Sequence, residues 1–127
     1  MSQKSLLLER LELYFRNSDT GMTRDRYLTM CEQMGQEPKE EEIPPDSEDF
    51  PELVAYALNT FHSLGDRVYP DIGYMGKDFT NLPLYIEMYC IEDNELFLEI
   101  LTYLESRAIK QSQEALKRER EKHKRKH

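Results

Sequence analysis

The stretch Asp93-Asn94-Glu95-Leu96-Phe97-Leu98-Glu99-Ile100-Leu101-Thr102-Tyr103-Leu104 decides the fold class of this chain. Leu96, Phe97, Ile100, Leu101, Leu104 and then Ala108 recur at three- and four-residue steps, which puts them on one side of a helix. Asp93 is a residue type whose side chain satisfies the free N–H groups of a first helical turn. The stripe fades after Ile109, and Leu116 is its last sizeable apolar side chain. Beyond it, Lys117 to His127 holds seven Lys/Arg and two Glu. Alternating signs of this kind suit a solvated helix that frays towards its end.

Four shorter helices are expected upstream. Leu7, Leu11 and Tyr14, widened by Leu8 and Phe15, predict a helix over 5–16, stopped by the turn-forming run Asn17 to Gly21. Thr23 predicts the cap of a helix over 24–34 with Tyr27, Met30, Cys31 and Met34 on one side, and Gly35 predicts its left-handed stop. Residues 36–47 carry Pro38, the triplet Glu40 to Glu42, and Pro44-Pro45, which predicts a semi-rigid extended linker. Ser47 or Asp49 is the expected cap of a third helix over 51–64, whose apolar side is Leu53, Val54, Ala57, Leu58, Phe61 and Leu64. After a loop over 67–79, a fourth helix is expected from Thr80 or Asn81 to Cys90, with Pro83 in its first turn. No segment alternates with period two for long enough to predict a strand. The expected architecture is all-α: a small bundle of about five helices, with a proline-rich linker after the second and a long charged C-terminal helix. Residues 1–116 form the expected single domain and 117–127 a basic helical tail.

Length fits one domain. The net charge of −8 is unevenly placed: the last eleven residues carry +5 and the other 116 carry −13. A body this acidic repels phosphate backbones, which argues against nucleic-acid recognition by the folded part. No apolar run approaches the roughly 20 residues that cross a bilayer, so no membrane role is expected. The N-terminus has no secretory-signal pattern, and Cys31 and Cys90 stand apart in helical patterns. Packed thiols in reducing cytosol are the expectation.

The residues that could carry chemistry do not assemble into a motif. His62 stands beside Phe61 with no recognised nucleophile motif, and a place on the helix surface or its boundary is expected. His123 and His127 have a metal-compatible spacing but sit among Lys and Arg, whose charge opposes a cation. Gly76-Lys77 invites comparison with a phosphate-binding loop. Such a loop needs a glycine where Asp71 stands and Ser or Thr where Asp78 stands. No catalytic residue, metal or cofactor is therefore expected. Gly73 and Gly76 instead predict tight turning where a side chain would clash. Tyr74, Met75 and Phe79 then either close the core or, with Lys77, face a partner. The basic tail has three readings: a solvated terminus, a contact for an acidic protein, or a contact for nucleic acid or membrane.

The order Gly35-x-Glu37-Pro38, Ile43-Pro44-Pro45, Asp49-Phe50-Pro51, Phe61-x-x-Leu64-x-Asp66-Arg67 and Gly73-Tyr74-x-Gly76-Lys77-Asp78-Phe79-x-x-Leu82-Pro83 resembles small helical proteins encoded among the tail and baseplate genes of long-tailed bacteriophages. It is similar, more loosely, to tail-assembly-chaperone-like families, and the likeness covers roughly residues 27–116. The resemblance implies a non-enzymatic assembly chaperone that holds a phage tail or baseplate protein soluble in the host cytoplasm. The expected partner-binding residues are Phe50, Tyr74, Lys77 and Phe79, with the basic tail as an auxiliary arm. Two other roles stand beside it: a structural component kept in the virion, and a regulator that binds nucleic acid or a host protein through the tail. The oligomeric state stays open.

Overall fold

A computed structural model describes the backbone over residues 3–125 and the side chains over 6–124. It is mostly helical: α1 (Gln3–Thr20), α2 (Arg24–Gln33), α3 (Glu52–Ser63), β1 (Asp66–Tyr69), β2 (Gly73–Lys77), α4 (Leu82–Met88) and α5 (Asn94–Arg125). The antiparallel pair β1–β2 departs from the all-α expectation, because residues 66–77, most of the expected loop, fold as a hairpin. The chain divides into two compact units after Pro51.

In the first unit, α1 runs a turn further than its expected end. Asn17 to Thr20 remain helical, and Gly21, at φ 77°, makes the stop. Thr23 caps α2 as expected, its side-chain oxygen accepting the Arg26 N–H at 3.3 Å. Gly35 closes α2 at φ 66°. Its N–H donates to the Glu32 carbonyl and the Gln36 N–H to the Cys31 carbonyl, the paired bonds of a Schellman ending. The segment read as a linker is instead tied to α2. Arg24 donates to the Pro44 carbonyl at 3.2 Å and pairs with Asp49, and the Tyr27 hydroxyl donates to Glu42 while accepting the Lys39 N–H. Pro44 and Pro45 are accordingly buried. Ser47 and Asp49 do not cap α3. They form their own 3-10 turn, capped by Asp46.

The second unit is built on α5. Its Phe97, Ile100 and Leu101 are fully buried, and Leu104 nearly so. Burial at this depth contributes roughly 1.5–3 kcal/mol per large side chain. Helix α3 packs against it and supplies Val54, Ala57 and Phe61, with Leu64 just beyond its end. Thr60 is tolerated in that core because its hydroxyl donates to the Tyr56 carbonyl at 2.8 Å. Asp93 caps α5 through its carboxylate, which accepts the Leu96 N–H at 3.0 Å. The basic segment is a direct continuation of α5, regular as far as Arg125; Lys126 and His127 lie outside the described residues. Glu114 precedes Arg118 by four residues, the favourable order for a pair on a helix surface. Lys and Arg in the last turns also complement the helix dipole.

Helix α4 ends on an unusual residue. Cys90 is exposed and takes φ 53°, the position glycine normally fills in a Schellman ending. The ending itself is complete: Cys90 N–H donates to Glu87 and Ile91 N–H to Ile86. A left-handed residue with a Cβ costs about 1–2 kcal/mol relative to glycine. Cys90→Gly should therefore raise the unfolding free energy by about 1 kcal/mol in urea titrations, whereas Cys90→Ala, which keeps the Cβ, should give no such gain.

Candidate functional site

The hairpin is the part of the chain with the most unusual combination of buried charge and exposed apolar side chains. Its turn is Tyr69-Pro70-Asp71-Ile72, closed by the Ile72 N–H donating to the Tyr69 carbonyl at 3.3 Å. Proline in the second place and a positive φ of 69° at Asp71 in the third are the layout of a type II turn. The register pairs Tyr69 with Gly73, Val68 with Tyr74 and Asp66 with Lys77. Between the last two pairs, Met75 and Gly76 oppose the single residue Arg67, so β2 is bulged there.

Both expected glycine positions lie where backbone meets α5. Gly73 has φ 92°, and a Cβ added to it would stand 2.7 Å from Leu116 Cδ1. Gly76 has φ 115°, and a Cβ there would stand 2.8 Å from Glu105 Oε2. That close approach lets the Glu105 carboxylate accept the Lys77 backbone N–H at 2.9 Å. Further along, Arg120 Nη2 donates to the Asp71 carbonyl at 3.5 Å. The hairpin thus lies along α5 from Glu105 past Leu116 to Arg120.

Lys77, expected on a partner surface, points inward. Its ammonium lies 2.7 Å from Asp66 Oδ1 and 3.2 Å from the Leu64 carbonyl, and sits 4.6 Å from the centre of the Phe61 ring. The side chain is 8% exposed and that of Asp66 is 55% exposed, so water screens only one end of the pair. Lys77 joins the C-terminal end of α3 to the hairpin, and an ammonium beside the last carbonyls of a helix is favourably placed. In this position its charge serves packing and is not offered outward.

The other expected residues are half-buried. Tyr74 has a buried hydroxyl with no hydrogen-bond partner among the described residues. Burial, then the charges of Asp66 and Glu105, raises its phenol pKa above the ordinary value. Phe79 is half-buried, and its carbonyl accepts the Leu82 N–H as the chain enters α4. Phe50 belongs to the first unit, where its ring meets Tyr14 edge-on at 5.5 Å. Tyr74 and Lys77 therefore share β2, Phe79 lies two residues past its end, and Phe50 belongs to the first unit.

Val68, Tyr69, Ile72 and Glu105, which the sequence does not single out, complete the picture together with Met75. Val68, Tyr69, Ile72 and Met75 remain exposed on the hairpin, and Asp66 and Glu105 hold its inner side. Pro70-Asp71 between β-forming residues was the available signal for the turn. Asp78, incompatible with a phosphate loop, has a positive role. Its carboxylate accepts the hydroxyl and the N–H of Thr80, which lowers its pKa, while its own N–H donates to the Gly65 carbonyl.

His62 is exposed on α3, edge-on to Phe61. Among the described residues no group of three or more His, Cys, Asp or Glu could hold a metal ion, and no helix is long and apolar enough to cross a membrane. The first unit has an open cleft of about 690 Å³ where Leu13, Leu28 and Ile43 meet Arg10, Glu40 and Glu41. Charges of both signs line it, with no nucleophile–base pair. No family model, curated protein or solved structure matches the chain.

Lys77→Met keeps most of the buried stem but removes the ammonium from Asp66 and from the Leu64 carbonyl. It should cost about 2–3 kcal/mol of stability, read by denaturant titration, with helical circular dichroism retained at low denaturant. Asp66→Asn should cost less, because its carboxylate already faces water. Gly76→Ala should cost about 1–3 kcal/mol, since neither its φ nor the Glu105 contact admits a Cβ.

Proposed function

We propose that this chain is a non-enzymatic binding protein that engages a phage tail or baseplate protein during virion assembly in the host cytoplasm. The observation that carries the reading is the hairpin, on which Val68, Tyr69, Ile72 and Met75 are exposed while its inner side is fastened by Lys77, Asp66 and Glu105. Apolar side chains held out on a fastened support suit partner capture, because little ordering entropy is lost when the partner arrives. The surrounding charge and the net −8 oppose self-association. The resemblance to phage tail and baseplate helical proteins supplies the biological setting.

The test is affinity purification of the full chain from infected cells together with deletion of its gene. The reading expects one tail or baseplate protein to co-purify in stoichiometric amount. It also expects tails to be missing or aggregated in the deletion. Tails that assemble normally without the gene, with no such protein enriched, would overturn it. The double variant Val68→Ser, Ile72→Ser should abolish the enrichment while leaving the circular dichroism unchanged.

A further inference from the structure

The tip of the hairpin and the basic end of α5 are read separately in the sequence, but the structure sets them side by side. Gly73 rests on Leu116, and Arg120 reaches the Asp71 carbonyl, so the turn residues lie next to the first basic turns of the helix. On a helix, residues three and four apart share a side, which places Lys117 and Lys124 in one row with Arg120. All three are exposed, as are Arg118 and Lys122. Ile72 is 60% exposed and Tyr69 47% exposed, immediately on either side of the Pro70-Asp71 corner. An apolar tip therefore borders a row of cations in a chain that is otherwise acidic.

We infer that this tip and this row form one composite docking surface for an acidic protein segment that also carries apolar side chains. The inference rests on the hairpin being the partner surface and adds the chemistry of what it takes. Charge decides the sign: a row of Lys and Arg selects carboxylates. The apolar tip decides the class of partner, because Ile72 and Tyr69 gain from covering by other apolar groups, which a phosphate backbone lacks. Glu119 and Glu121 interrupt the cations, and the Asp71 carboxylate is exposed beside them, so a dense line of phosphates meets repulsion within the same surface.

The experiment is fluorescence anisotropy with the full chain and a labelled synthetic peptide of alternating Asp/Glu and Phe/Leu. An equally long Glu/Gly peptide, a short DNA duplex and phosphatidylglycerol vesicles serve as competitors. The acidic apolar peptide should bind, weaken as salt is raised, and resist displacement by all three competitors. Lys117→Glu with Lys124→Glu, and separately Tyr69→Ser with Ile72→Ser, should each weaken it by about tenfold or more with unchanged circular dichroism. Displacement by the duplex, the vesicles or the Glu/Gly peptide at equal charge would overturn the inference, as would unchanged affinity in either variant. A tail protein captured equally well by wild type and by Lys117→Glu with Lys124→Glu would sink this inference and spare the assembly role. Peptide binding as expected, with normal tails in the gene deletion, would do the reverse.

Discussion

Everything distinctive about the second unit depends on where one ammonium group sits. Lys77 is held among Asp66, the Leu64 carbonyl and the face of Phe61. A two-stranded hairpin is marginal by itself in water. Here it is anchored through a charge that has lost most of its water and that therefore requires these partners in place. The same residue's backbone N–H is spoken for by Glu105, so β2 is fastened to α3 by the side chain and to α5 by the main chain. With Lys77 and Glu105 committed to fastening β2, the apolar side chains of Val68, Tyr69, Ile72 and Met75 are the ones left exposed on the hairpin.

Much of the helical framework was legible because its signals are local. The α5 stripe, the Asp93 and Thr23 caps, and the Gly35 ending each need only a few neighbouring residues, and each stands as read. Gly73 and Gly76 were also legible as places where a side chain would clash, though the sequence could not name Leu116 and Glu105 as the groups in the way. The hairpin itself was not legible by period. Asp66–Tyr69 is four residues long and exposed throughout, so it never alternates, and a bulge breaks the rhythm of β2. The composition of 36–47 looks like a linker. Arg24 and Tyr27, whose side chains reach it from a neighbouring helix, make it otherwise.

Lys77 shows why the candidate surface was only half legible. Lysine beside aromatic residues in a glycine-containing loop reads equally well as a partner contact or as a buried tie. The choice turns on Asp66, eleven positions earlier, and on the end of α3. Tyr74 and Phe79 are likewise drawn into the structure by half. The exposed positions belong to Val68, Tyr69, Ile72 and Met75, residue types that a sequence reading assigns to interiors.

The two glycine contacts on α5 also make the hairpin a gauge of helix length. Gly76 meets Glu105 and Gly73 meets Leu116, and those two side chains share a side of α5 only because about three whole turns separate them. One residue inserted between them would swing Leu116 by about 100° around the helix axis and carry Arg120 away from Asp71. The spacing of α5 is thus constrained at positions where its solvent-facing residues are otherwise free to vary. Substitutions there should be tolerated far more readily than insertions or deletions.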